Sequence, residues 1–420
     1  MNAFARHEGR LFCEDVSLDE VVAVHGTPLY VYSRASIESA YDGYAAAFAS
    51  VPHRICYALK ANGSGPLLRL LAARGAGADI VSGGELRAAL RAGFTPDRIV
   101  FAGVGKTDDE IVLALHTGIG EFNAESADEI ARIGALAAAI GKTAPVALRV
   151  NPDIDPGSHP YISTGLRENK FGVDIARAPE ILRSARSRAG VEIVGVQCHI
   201  GSQVTDLGAL ASAAREVAAL SRTLVGEGFA LRTVNIGGGL GVDYEGTGGP
   251  TPSDLASRVL PEVRGLSLTL LLEPGRSLVA PAGVLVARVL QVKENRDKRF
   301  VIVDAAMNDL LRPALYQAHH RIEPVQGRGA PRRKVDVVGP VCETGDFLAK
   351  DRELEDVIAG DLLAIRDTGA YAFSMSSRYN MRPRAAEVLV EGDRQRLIRR
   401  RESFEDLIAT EIDDQEGALR

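Results

Sequence analysis

The stretch HRICYALKANGSGPLLRLLAARG, residues 53–75, decides how the chain is read. HRICY (53–57) has the alternation of a strand, and the strand delivers a lysine, Lys60, at its end. Gly63, Ser64 and Gly65 break the pattern, and Pro66 opens an apolar-periodic helix that runs to Gly75. A lysine at the mouth of a buried strand has two readings. Its ammonium reaches solvent along an apolar stem, or it does amine chemistry in a site that desolvates it and lowers its pKa.

Outward from this unit the same β-then-α alternation repeats. Strands are expected at 53–60, 77–82, 98–103, 121–125, 145–151, 191–200, 231–237 and 268–273. Helical patterns lie between them, as in 66–75, 84–93 and 107–118, and most end at a glycine, the expected C-cap. Eight strands with intervening helices predict an α/β fold, a (β/α)8 TIM barrel running to 283. A doubly wound open sheet is the competing arrangement. The glycine run at 237–239 comes too late and lacks the GxGxxG spacing of a dinucleotide fingerprint. From 284 onward, 284–295, 299–306, 334–342, 361–369 and 386–400 read as strands without long helices, an all-β second domain of sandwich or barrel-like type. Residues 1–35 show one short apolar strand, 28–33. The longest irregular stretch, 151–170, follows a barrel strand and suits a lid or binding loop.

A length of 420 residues favours two domains. The net charge of −6 argues against nucleic-acid or anionic-membrane binding. Cys13, Cys56, Cys198 and Cys342 have no CxxC spacing, so neither a metal site nor a disulfide framework is expected, and a reducing cytoplasm fits. The first residues carry charges where a signal peptide needs an apolar run, and no run approaches membrane-spanning length.

In a barrel, functional groups gather at the C-terminal ends of the strands. Here those ends carry Lys60, Asp79 with Gly83 and Gly84, His199 with Ser202, Gly237–Gly239, and Glu273 with Gly275 and Arg276. Singly, each has an ordinary structural reading: a tight turn, a satisfied core histidine, a surface ion pair. Together they read differently. Glycines after the seventh strand are where barrels commonly hold a phosphate, because bare backbone N–H groups approach it closely. A carboxylate follows on the eighth strand, an imidazole comes from the sixth, and the lysine from the first. Phosphate cradle, amine, carboxylate and flat ring describe a site for pyridoxal 5'-phosphate, with Lys60 as Schiff-base lysine, Glu273 at the pyridine nitrogen and His199 on the ring face. Such a site implies amino-acid chemistry without naming the bond broken.

YALKAN (57–62), ADIVSGGEL (78–86), HPYISTGLRENKFGV (159–173), CHIGSQ (198–203), NIGGGLG (235–241), LEPGRS (272–277), MNDLLRPALY (307–316), GPVCETGDFLAK (339–350) and GAYAFSMSSRYNMRPRAAEVLV (369–390) resemble, in order, the motif series of the diaminopimelate decarboxylases. The resemblance covers about 25–395. It implies decarboxylation of meso-2,6-diaminopimelate to L-lysine, the last step of lysine biosynthesis. It implies that Lys60, Asp79, His199, Ser202, Gly237, Gly238, Gly239, Glu273, Gly275, Arg276 and Tyr371 serve the cofactor. Arg276, Arg312, Tyr316, Glu343 and Tyr371 would hold the substrate, and Cys342 would donate the proton that replaces the carboxylate. It further implies a homodimer in which Cys342 and Glu343 enter the neighbouring subunit's site. It also places the N-terminal strand in the second domain, giving a barrel of 36–283 and a discontinuous β domain of 1–35 with 284–420.

The chemistry agrees with these roles. Guanidinium groups suit a distal carboxylate bidentately, and Glu343 suits the distal ammonium. A thiol can be tuned to reprotonate a carbanion near neutral pH, although most free cysteines are small buried hydrophobes. One departure is visible. Ala306 stands where the family usually has glycine, and an alanine resists positive φ. A different basic substrate, as in the ornithine and arginine decarboxylases, is the alternative that this residue leaves open.

Overall fold

His53–Ala58 forms a strand whose last four residues are buried. It pairs in parallel with Gly77–Ile80 on one side and with Thr269–Leu272 on the other. From Gly77–Ile80 the sheet continues through Ile99–Phe101, Glu121–Ala124, Ala144–Asn151, Val191–Cys198 and Thr233–Asn235 back to Thr269–Leu272. Every pairing is parallel, so the eight strands close into a barrel, and the open-sheet alternative is excluded. The strands are short and apolar because both faces are covered, as a parallel sheet requires.

Local signals set the helices between them. Ser82, Thr107, Ser126 and Thr251 each accept a backbone N–H from the first turn, and Thr107 with Glu110 and Thr251 with Asp254 form capping boxes. Gly93 and Gly118 end two helices in the left-handed conformation. Elsewhere the cap is not glycine: Arg74 closes the helix Gly65–Ala73, one residue before Gly75.

The computed structural model describes residues 3–155, 157 and 170–412. The expected lid falls largely on residues outside this set. Two compact units divide the chain: Ile37–Val279 holds the barrel, and the segments to Ser36 and from Ala280 form the other.

In the second unit Leu29–Ser33 is a central strand, antiparallel to Gly283–Asn295 and parallel to Ala386–Glu391. Val31, Val284, Val286 and Val388 pack in its core. More strands are present than the sequence pattern suggests. Phe4–His7, Arg10–Cys13 and Val16–Ser17 make a three-stranded sheet, followed by the helix Leu18–His25. Runs of two to four residues between positive-φ turns at Glu8, Gly9 and Glu14 are too short to show a period. Phe347–Glu355 was not expected either. It is the last strand on its side of the sheet, and its charged residues belong to an edge that faces water.

The barrel leaves no room at Gly195. A Cβ there would lie 2.2 Å from Thr233 Oγ1 and 3.0 Å from Thr233 O on the adjoining strand. Gly195→Ala is expected to cost about 1–3 kcal/mol, the usual range for overpacking, read as a lowered midpoint in thermal denaturation.

Candidate active site

Lys60 sits in a 3-10 turn, Leu59–Ala61, directly after the first barrel strand. Its Nζ lies 2.6 Å from Asp79 Oδ2, the Asp79 side chain being wholly buried and that of Lys60 40% exposed. The amine is thus held by a fixed carboxylate and remains reachable. Asp79 Oδ1 has no hydrogen-bond partner among the described residues. Glu85 stands close by and accepts the Val81 N–H at 2.7 Å. Burial, with the Asp79 charge adding to it, lifts the Glu85 carboxyl to about 7.

Glu273 follows the eighth strand and is buried. Its Oε1 accepts from Asn123 Nδ2 at 3.1 Å and Asn235 Nδ2 at 2.7 Å, and its Oε2 from Gln197 Nε2 at 3.1 Å. Burial, then the Asp79 charge, pushes this carboxyl to about 8 against the opposing pull of Lys60, the Asn235 hydrogen bond and Arg149.

The glycine turn packs directly against this group. A Cβ at Gly238 would stand 2.2 Å from the Glu273 carbonyl oxygen. The Gly237 N–H donates to Asn235 Oδ1 at 2.8 Å, and the Gly238 N–H to His199 Nδ1 at 3.2 Å. These two amides therefore point inward. The turn is suited to a phosphate by its lack of side chains, not by two bare N–H groups as the sequence suggests. His199 is half-buried, and desolvation together with Arg149 and Lys60 holds its imidazolium form well below the usual range. Its Nδ1, accepting from Gly238, fits a neutral ring.

Arg276 is buried and donates to Ser202 Oγ at 2.9 Å and to Tyr244 Oη at 2.9 Å. Gly275 packs against the Lys60 turn: a Cβ there would lie 3.1 Å from Ala61 Cβ. Lys60, Asp79, His199, Ser202, Gly237–Gly239, Glu273, Gly275 and Arg276 thus all belong to the C-terminal strand ends of one barrel. Sequence reading missed Asn123, Gln197 and Asn235. Their signal is a polar side chain inside an otherwise apolar strand.

The remaining expected residues belong to the second unit. Arg312 opens the short helix Arg312–Tyr316 and is buried, with Nη1 2.7 Å from His320 Nε2. Tyr316 is half-buried, and Tyr371 has φ 54°, a strained value for a large side chain. Cys342 and Glu343 are exposed. The Cys342 N–H donates to Asn380 Oδ1 at 3.0 Å, and the Tyr379 hydroxyl donates to Glu343 Oε2 at 2.9 Å. Asp346 joins this loop to the one carrying Ala306, accepting the Val341 and Met307 N–H groups at 2.7 Å each. Ala306 is buried without positive φ, so glycine's freedom is not needed there. The only local support for a different basic substrate falls away.

A closed barrel presenting a paired lysine, a side-chain-free turn and a buried carboxylate at one end has the features expected of a pyridoxal-dependent enzyme of the barrel class. The sequence model described as "Pyridoxal-dependent decarboxylase, pyridoxal binding domain" matches residues 34–280. The diaminopimelate decarboxylase of Pseudomonas aeruginosa is 50% identical over 98% of this chain and 99% of its own length. That of Aquifex aeolicus is 47% identical over 97% and 96%. The crystal structure of diaminopimelate decarboxylase from M. jannaschii in co-complex with L-lysine superposes with a TM-score of 0.94, at 40% identity, covering 99% of this chain and 98% of that one. The chain belongs to the diaminopimelate decarboxylase family.

The Glu273 carboxyl gives a pH signature in cofactor-free protein. Its folded value near 8 is raised above the unfolded carboxyl value, so its contribution to stability is full below about 4.5 and is lost as pH rises through 8. Glu273→Gln is expected to remove that slope. Thermal midpoints from pH 4.5 to 9 should fall less steeply in the variant than in the parent protein.

Proposed function

We propose that the protein decarboxylates meso-2,6-diaminopimelate to L-lysine and carbon dioxide with pyridoxal 5'-phosphate held at Lys60. The observation that carries this reading is the constellation of Lys60 on Asp79, the glycine turn and buried Glu273, in a chain related over nearly its full length to diaminopimelate decarboxylases. The residues present fit the cofactor. A side chain at Gly238 would collide with the main chain, Glu273 is a buried acceptor, and the partly exposed Lys60 amine is within reach of an aldehyde. When bound, the cofactor supplies an electron sink for the charge left on the α-carbon after carbon dioxide departs.

This chain's residues do the rest. Asp79 orients the Lys60 amine. Glu273 would meet the pyridine nitrogen and His199 the ring, while Ser202, Gly237–Gly239, Gly275, Arg276 and Tyr371 would serve the phosphate end. Arg276, Arg312, Tyr316 and Tyr371 bind the substrate's charged groups, and Glu343 binds its distal ammonium. Cys342 donates the proton to the α-carbon. The carboxylate that leaves as carbon dioxide is the one on the reacting α-carbon, so lysine, the product, keeps the distal carboxylate and ammonium, and whatever group bound the departing carboxylate loses its partner. The exposure of Cys342 and Glu343 supports their service in the site of a second copy of the chain. All four cysteines are free thiols, which suits a reducing cytoplasm. No helix among the described residues is long and apolar enough to cross a membrane.

Two experiments test the reading. Purified protein reconstituted with pyridoxal 5'-phosphate is expected to release lysine from meso-diaminopimelate and to leave ornithine and arginine nearly untouched. Faster turnover of either competitor overturns the substrate assignment. Lys60→Ala and Cys342→Ala should each be inactive alone. Mixed and reassociated, they should recover roughly a quarter of parental activity, since half of random dimers carry one intact shared site. No recovery would mean that each site is built within one chain.

A further inference from the structure

The reaction, as proposed, uses Glu273 as an acceptor, and the structure carries a device around that carboxylate that the reading leaves unused. We propose that Asn123, Gln197 and Asn235 are positioning residues that orient the Glu273 carboxyl and favour its anionic form against the burial that opposes it, leaving one acceptor position, on Oε2, for the ring nitrogen of the cofactor. This rests on the cofactor assignment above.

A carboxylate offers about four acceptor positions. Oε1 is filled by Asn123 and Asn235, and Oε2 is half filled by Gln197. One position remains, on Oε2. The three amides come from the fourth, seventh and sixth barrel strands, and each residue is essentially buried. All three turn their N–H₂ groups to the carboxylate. Asn123 Oδ1 and Gln197 Oε1 consequently find no hydrogen-bond partner among the described residues. A buried acceptor left unmet is costly, so this orientation is held against a local penalty. A protonated Glu273 would have no need of it: its O–H would take an amide oxygen as acceptor, and one amide would turn over. Amide donors satisfy the negative form and can neither take its proton nor compete as a base.

Asn235 has a second bond. Its Oδ1 accepts the Gly237 N–H, and the Glu273 N–H donates to Gly237 O at 2.8 Å. Carboxylate, amide and glycine turn thus form one closed unit, and the two ends of the cofactor site are set at a fixed spacing. Asn123 and Gln197 have no such tie, which makes them the cleaner probes. The other ionisable groups that act on Glu273 are Asp79, Lys60 and Arg149, with the thiols of Cys56 and Cys198 nearby. None of them is altered in the test.

The test uses Gln197→Met and Asn123→Leu, which keep the volume and remove one donor each. In cofactor-free protein carrying ¹³C-labelled glutamate, the Glu273 carboxyl is followed by infrared difference spectroscopy, with Glu273→Gln identifying the band. Loss of one donor is expected to move its titration midpoint up by roughly one unit. In the loaded dimer the acidic limb of the kcat profile should move up by a similar amount with KM for diaminopimelate held within about twofold. An unmoved carboxyl midpoint in both variants overturns the proposal, as does a raised KM with unchanged kcat. The two variants guard each other, since a packing failure in one leaves the other to report. Should the parent protein fail to turn over diaminopimelate, the functional reading fails alone, because the carboxyl titration is read without cofactor or substrate.

Discussion

The pairing of His53–Ala58 with Thr269–Leu272 closes the barrel, and the rest of the site depends on that closure. It brings the end of the first strand beside the end of the eighth. The Ala58 N–H donates to Pro274 O at 3.1 Å, so the turn carrying Lys60 and the segment carrying Glu273 are tied by the main chain itself. In a doubly wound open sheet the first strand would lie inside the sheet and the last at an edge, well apart. Closure turns a separation of more than 200 residues into neighbourhood, and no side-chain contact has to supply it.

That arrangement imposes a cost inside the barrel. Strand ends that face the axis must carry Asp79, Asn123, Gln197, Asn235 and Glu273 in a space that apolar residues would fill more cheaply. The carboxyls respond as burial dictates, Glu273 rising to about 8 and Glu121, near the opposite end of its strand, to about 7. Their settings differ. Glu121 has one side-chain donor, Thr233 Oγ1 at 2.6 Å, and its Oε1 has no partner among the described residues. Glu273 has three amide donors. Both carboxyls are buried, but only one is furnished to carry a charge. That contrast marks the C-terminal end of the barrel as the working end.

Much of this was legible in the sequence, and the limits have physical causes. All eight barrel strands were placed because a parallel strand is a short apolar run between glycine or polar breaks, and five of the runs end in residues of distinct chemistry. Closure was not legible, because it is a pairing between residues whose own sequences say nothing of each other. Lys60 and Glu273 stood out as charges at the ends of buried strands. The residues that hold Glu273 did not, because a single Asn or Gln in a strand reads as any polar position until the register shows that three of them face one point. The N-terminal sheet was lost because strands of two to four residues carry no measurable alternation. The bearing of Ala306 was not legible either, since the usual glycine of the family says nothing about whether its freedom is used.

The second unit shows a different way of holding a reactive group. Cys342, Glu343 and Thr344 are consecutive and exposed, and exposed loops ordinarily wander. Here the loop is fastened from its buried side. Asp346 binds Val341 and Met307, while Gly339 lies so close to Ala306 that a Cβ would stand 2.6 Å from its Cα. The exposed side is fixed by Tyr379 and Asn380, whose segment includes two positive-φ residues, Asn380 and Met381. Strain of that kind persists only where surrounding bonds over-determine the backbone. A loop fixed from both sides yet open to solvent keeps its exposed side chains in a defined place, which is what the proposed service in a second copy's site requires.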